Sequence, residues 1–228
     1  MEKRPRYRHE LKYEISYFDY LTMRPRLKAI MQSDPYTVGG KYKIRSIYFD
    51  NYKDKALLEK INGEQKREKF RIRCYNDSFD VISLEKKMKI NDLCMKAAAR
   101  ITEDECRKLL AGDTAWMTEH ESGLVREFYT KIKSGLLRPK VLVSYTREPY
   151  IYTAGNVRVT FDTDIRTTAF HTEFLEKDIL DIAAADESGK MILEVKFDDF
   201  LPEIISDIVQ INARQTAFSK YAACRKFG

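Results

Sequence analysis

Several stretches of this chain alternate apolar and polar residues with a period of two, and their polar positions carry charged pairs instead of the neutral mixture of an ordinary solvent face. His9, Leu11, Tyr13 and Ile15 fall on one side of a strand whose other side carries Arg8, Glu10, Lys12 and Glu14. Phe70, Ile72 and Cys74 oppose Lys69, Arg71, Arg73 and Tyr75, and Ile82 and Leu84 oppose Ser83, Glu85 and Lys87. Val157, Val159 and Phe161 oppose Arg158, Thr160, Asp162 and Asp164, while Met191, Leu193, Val195 and Phe197 oppose Glu194 and Lys196. The segments KVLVSYTR and KIRSIYFDN are strand-like with less cleanly separated faces. Residues two apart share a strand face, so Arg71 with Arg73, Glu85 with Lys87 and Glu194 with Lys196 each stand side by side. Two architectures accommodate such strands. A half-exposed antiparallel sheet turns the charges to water; a sheet closed on itself packs its apolar faces outward against helices and turns the charges into a lumen. Cations crowded in a lumen repel one another and lose hydration, so that arrangement requires water, carboxylates or a polyanion to fill it.

The remaining pattern supplies helices. Residues 18–32 have helical spacing, and Pro25 is expected to begin or kink that helix. Thr102 with Glu105 forms a capping box for a short helix that Gly112 can stop, and Thr118 with Glu121 is expected to open another running toward Gly135. Ile204, Ile205, Ile208 and Val209 recur helically after Pro202, and SKYAACRKF ends the chain in a last short helix. Strands and helices intermix with no linker-like stretch, which predicts one α+β domain over residues 1–228 with a mainly antiparallel sheet.

Composition narrows the chemistry. Lys plus Arg total 41 and Asp plus Glu 35, a net +6 that favours an anionic partner. No G-x-x-x-x-G-K-[ST], G-x-G-x-x-G or G-x-S-x-G motif is present, so phosphate would have to be held by side chains. Cys74, Cys94, Cys106 and Cys224 are scattered without a C-x-x-C pair, which predicts free thiols. No RNP1-like or helix-turn-helix pattern points to specific nucleic-acid binding. The charged N-terminal segment lacks the apolar run of a secretory signal, and no stretch is apolar enough to span a bilayer, so a cytoplasmic chain is expected.

The motifs together resemble a known family. R-x-E-x-K at Arg8, Glu10 and Lys12, S-I-Y-F-D at 46–50, R-I-R at 71–73, L-E-K-K at 84–87, S-Y-T-R at 144–147, T-F-D-T-D at 160–164, L-E-V-K at 193–196 and F-S-K-Y at 218–221 are similar to the VTC domain. That family is the polyphosphate polymerase branch of the triphosphate tunnel metalloenzymes, related to the CYTH proteins. The resemblance, over residues 6–224, implies a closed eight-stranded antiparallel β tunnel with a charged lumen and helices outside. It implies a catalytic, phosphate-gripping set of Lys12, Arg71, Arg73, Lys87, Arg147, Lys196 and Lys220. Substrate contacts would come from Lys96, Tyr145, Arg158, Ser219, Ser46 and Tyr48. Glu194 would lead a Mn²⁺ or Mg²⁺ site, with Glu85, Glu10 and Asp162 as further candidates. The implied activity transfers the ATP γ-phosphate to a growing polyphosphate chain; a triphosphatase and a non-catalytic binder of polyphosphate or nucleotide are the alternatives. Partners would be ATP, triphosphate and polyphosphate, and placement at the inner face of a membrane would need a partner protein. Two departures stand out: Arg8 occupies the position of the first Glu in the CYTH E-x-E-x-K, and Ala217 stands where fungal polymerases carry a further lysine. Structural alternatives are equally specific. Arg71 and Arg73 would pair across strands with Glu85 and Glu194, Glu194 would be a counter-ion to Lys196 or Arg147, and Lys220 would be a solvated helix lysine.

Overall fold

The computed structural model describes residues 7–91, 93–168, 171–177, 179, 182–183, 191–210 and 215–225. Its strands are β1 (His9–Ile15), β2 (Gln32–Ser33), β3 (Tyr42–Asp50), β4 (Lys66–Tyr75), β5 (Ser78–Ile90), β6 (Leu93–Ile101), β7 (Arg138–Tyr152), β8 (Val157–Thr168), β9 (Ile182–Ala183) and β10 (Met191–Phe197). Its helices are α1 (Tyr17–Ile30), α2 (Lys55–Ile61), α3 (Glu103–Leu110), α4 (Gly123–Gly135), α5 (Glu203–Val209) and α6 (Lys220–Cys224).

Eight strands follow one antiparallel path, β1-β10-β8-β7-β3-β4-β5-β6, with β2 added to β7 and β9 to β8. The two ends of the path meet at one residue pair: the Arg8 amide donates to the Cys94 carbonyl at 3.1 Å and the Cys94 amide returns a bond to Arg8 at 3.0 Å. The expected eight-stranded tunnel is therefore present, and among the described residues β1 and β6 are joined by this single bridge instead of a full ladder. Sequence chemistry sets the tight turns. Asn76 and Asp77 link β4 to β5 at φ 52° and 53°, the left-handed pair that a two-residue hairpin matched to strand twist requires.

Apolar faces point outward and are covered by helices. Phe70, Ile72 and Leu84 pack under α3 and α4, where Phe128 stacks on Phe70 and meets Phe49 edge-on, both at 4.9 Å between centroids. Val159, Phe161, Leu193 and Val195 pack under α1 and α5. Each such fully buried side chain contributes roughly 1.5–3 kcal/mol. The inner face is not charged throughout. Ile44, Val141, Val143 and Ile192 point inward at one end, where α6 inserts Tyr221 and Cys224 as an apolar stopper. Asp50 anchors that stopper: it accepts the amides of Ala56 and Leu57 at the start of α2 and the Tyr221 hydroxyl at 2.7 Å.

Local expectations fare unevenly. The Thr102–Glu105 box caps α3, and Ser16 with Asp19 caps α1, which contains Pro25. The expected Thr118 start is corrected: Thr118 ends a short 3-10 turn, and α4 opens after Ser122. Strand β6 and helix α2 carry no clear periodic signal in the sequence; the Ala97–Ala99 run gives β6 no strong strand preference, and its pairing with β5 decides it. All four cysteines are free thiols. Among the described residues no helix is long and apolar enough to cross a membrane.

Candidate functional site

Strand alternation delivers the charged residues to one enclosed space. Lys12, Tyr48, Arg71, Arg73, Lys87, Lys96, Tyr145, Arg147, Arg158, Glu10, Glu194, Lys196, Ser219 and Lys220 all line a lumen of about 530 Å³. Three further predicted residues stand directly behind that surface. Ser46 accepts a bond from Arg73 Nε at 3.0 Å, and Glu85 and Asp162 lie beneath the cations they neutralise.

Two carboxylate hubs organise the cations. Glu85 meets Arg71 at 2.6 Å, Lys96 at 2.6 Å and Arg73 at 3.9 Å. Arg71 also donates to the Tyr48 hydroxyl and Arg73 to the Tyr145 hydroxyl, each at 2.9 Å. Across the lumen, Asp162 takes a two-pronged contact from Arg147, at 2.6 and 2.7 Å, and a third bond from Lys220. Lys220, only 9% exposed, lies 4.6 Å from the Tyr145 ring centroid. It is thus no solvated helix lysine. Ser219 caps α6 and holds Lys220 at the lumen wall. Arg158, at the rim, donates to Asp34 and Tyr42 at 2.7 Å each.

A third group joins β1 to β10. The register places Glu10 opposite Lys196 and Lys12 opposite Glu194, so acids and bases alternate diagonally. Glu10 meets Lys87 at 2.6 Å and Lys12 at 3.1 Å, while Lys196 contacts Glu194 closely and approaches Glu10 at 3.9 Å. Burial would raise the Glu194 carboxyl, yet Lys196, Lys12, Arg147 and Lys87 hold it well below the usual carboxylate range. Burial outweighs Glu194 and Glu10 at Lys196 and, helped by Arg147 and Lys87, brings it down to about 8. Tyr48 is the converse. Burial opposes its ionisation, but Arg71, Lys69 and Arg73 together bring it down to about 7.

Lys69 was absent from the expected set although it continues the Arg73, Arg71 alternation by one more step. It lies 5.6 Å from the Tyr48 ring centroid and borders the lumen. The signal was available in the period of two.

Donor chemistry suits a hard cation in one place. Glu10 and Glu194 share a face on adjacent strands and feel each other's charge, supplying two carboxylates beside open lumen. Among the described residues no three His, Cys, Asp or Glu side chains form a ready-made metal site. Two carboxylates completed by phosphate oxygens and water are what a magnesium-type ion takes. All four carboxylates hold cations, but only Glu10 and Glu194 border the lumen, while Glu85 and Asp162 lie behind its surface.

Arginines, lysines and phenols thus face one another across a single lumen from opposite walls. The chain belongs to the VTC domain family, whose sequence profile matches residues 7–227. Known structures share the fold. A candidate adenylyl cyclase from Hippeastrum with a dominant triphosphatase activity superposes with a TM-score of 0.59 at 13% identity, covering 96% of this chain and 95% of that one. A candidate adenylate cyclase from Bacillus halodurans gives 0.52 at 12% identity, covering 85% and 82%. Against curated protein sequences the chain has no significant match.

Proposed function

We propose that this protein is a metal-dependent phosphotransferase that holds the triphosphate of ATP in the lumen and passes the γ-phosphate to a polyphosphate chain. The observation that carries the reading is the convergence of Arg71 and Arg73 from β4 with Arg147 from β7 and Lys220 from α6 on one cavity. Arginine offers a planar fork that engages two phosphate oxygens at once, and lysine a compact charge. Phosphoryl transfer asks chiefly for alignment and for stabilisation of the charge spread over the equatorial oxygens, so no side-chain nucleophile is needed. Arg71 and Arg73 would hold one side of the chain, Arg147 and Lys220 the other, with Tyr145 and Ser219 supplying hydrogen bonds. Lys12, Lys87, Lys196 and Lys96 would neutralise the remaining charge, and Arg158 would receive the anion at the rim. Glu194 and Glu10 would hold Mn²⁺ or Mg²⁺, which would supply positive charge to offset that of the phosphates.

Hydrolysis, with water in place of the chain, is the second reading, supported by the activity of the Hippeastrum protein that shares the fold. Incubation with ATP and Mn²⁺ followed by separation of products decides: long-chain polyphosphate supports the transferase, free phosphate alone supports the hydrolase, and no turnover contradicts both. Glu194→Gln is expected to reduce metal-dependent turnover more than nucleotide binding. Equal losses in both would remove Glu194 from the metal site.

A further inference from the structure

Lys220 reaches the lumen from α6, a helix of only five residues. Isolated helices shorter than roughly 12 residues are marginal in water, so neighbours must fix where α6 lies and which way it is turned. Apolar burial of Tyr221 and Cys224 seats the helix, but hydrocarbon contact is non-directional and sets its rotation poorly. Two acids from the β3–α2 connection supply the direction. Asp50, the last residue of β3, accepts the Tyr221 hydroxyl at 2.7 Å, and Asp54 meets Arg225 at 3.0 Å. Tyr221 and Arg225 are four residues apart, so the acids grip one face of α6 a turn apart. Successive helical residues point about 100° apart. Once Tyr221 is turned to Asp50, Lys220 is therefore directed to the lumen wall, where it bonds Asp162 and lies 4.6 Å from the Tyr145 ring centroid.

Asp50 differs from the carboxylates that balance the lumen cations. It is fully buried, its oxygens accept the amides of Asn51, Ala56 and Leu57 at 2.8, 2.9 and 3.1 Å, and among the described residues no cation lies against it. Those amides belong to the chain that opens α2, so the carboxylate is held independently of α6 and offers Tyr221 a rigid acceptor. Burial, the bond to Asp50 and the charge of Asp50 hold the Tyr221 phenol well above its usual range, which keeps it a donor.

We propose that Asp50, acting through the Tyr221 hydroxyl, is a positioning residue for Lys220: it sets the rotation of α6 and so the place of the Lys220 ammonium in the lumen. The inference rests on the lumen being where the polyanion is held, and adds that affinity there depends on a carboxylate that does not line it.

Asp50→Ala would also unseat the start of α2, so the test uses Tyr221→Phe, which removes one hydroxyl, leaves Asp50 its three amides and keeps a ring to stack on Tyr48. Tripolyphosphate is titrated calorimetrically into the full chain, the Tyr221→Phe and Lys220→Met variants and the double variant, all below the onset of unfolding. Tyr221→Phe is expected to weaken binding about fivefold, and to weaken it no further in the Lys220→Met background. A role confined to stability would lower Tm and leave the affinity of the folded protein unchanged, and that result overturns the proposal. So does an equal loss with and without the Lys220 ammonium, since Tyr221 would then act by another route. If the wild-type chain does not bind tripolyphosphate, the proposed function falls, and hydrogen exchange reads the positioning instead. The Ala223 and Arg225 amides, bonded to the Ser219 and Tyr221 carbonyls at 2.9 and 3.0 Å, are expected to exchange faster in Tyr221→Phe; unchanged exchange would overturn it.

Discussion

Arg147 and Glu148 are neighbours on β7 and point to opposite sides of the same wall, and their surroundings separate what holds the fold from what handles the ligand. Glu148, 4% exposed, accepts bonds from the Tyr20 and Tyr150 hydroxyls and from Arg24 at 2.7 Å, beneath α1 and against the apolar belt. Burial would raise its carboxyl, and the two phenols and Arg24 lower it. Two of those donors, Tyr20 and Tyr150, are themselves buried, while Arg24 reaches partly into solvent. Arg147 faces Asp162 and Lys220 beside open lumen, where a phosphate oxygen can compete for the same donors. Similar chemistry therefore has different consequences: an outward carboxylate fastens helix to sheet, whereas an inward one positions cations at the lumen wall.

The largest expected effect is on the outward side. Glu148→Ala strands two buried phenols and an arginine, and breaking such a network costs about 3–5 kcal/mol, a fall in Tm on the order of 10 °C. Thermal unfolding measures it, and tripolyphosphate affinity per folded molecule should stay constant. A changed affinity would erase the distinction between the two faces. Asp162→Asn is expected to be intermediate, costing about 1–3 kcal/mol because Arg147 and Lys220 lose their counter-charge. Tripolyphosphate should then restore more Tm in this variant than in the wild type; equal restoration would mean that Asp162 acts only as core.

The remaining effect is a pH dependence. Lys69 near 7 and Lys196 near 8 both lie below the ordinary 10.5, so the folded chain binds fewer protons than the unfolded one across roughly pH 7–10. The cost of burying these lysines is fully present below that window and is relieved as pH rises through it. Stability of the ligand-free protein should therefore climb from pH 7 toward 9, and added tripolyphosphate should flatten the climb. Tm measured at pH 6, 7, 8 and 9 with and without tripolyphosphate sharpens the comparison, since Glu148 titrates far from this range.

Local periodicity made much of this legible. The alternation in β1, β4, β5, β8 and β10 identified both the outward apolar belt and the inward charges, because a strand face is a property of sequence alone. The counter-ion roles of Glu85 and Asp162 were not legible as such, since they depend on which strands become neighbours: Arg71 opposite Glu85, and Arg147 opposite Asp162. The α6 stopper was hidden for the same reason. Nothing local marks Tyr221 as stacking 5.2 Å from Tyr48 or bonding Asp50, and Lys220 gains its burial only from that docking. Asp164 illustrates a local irregularity: with φ 50° it sits where the β7–β8 register breaks, exposed and paired with Arg166, outside the lumen.

The central claim is that the inward cations converge to hold a polyphosphate chain within the tunnel. A crystal structure with tripolyphosphate tests it most directly. The account predicts continuous density through the lumen, with phosphate oxygens within hydrogen-bond reach of Arg71, Arg73, Arg147 and Lys220. Tripolyphosphate found only on the outer surface, with the lumen holding water alone, would contradict it.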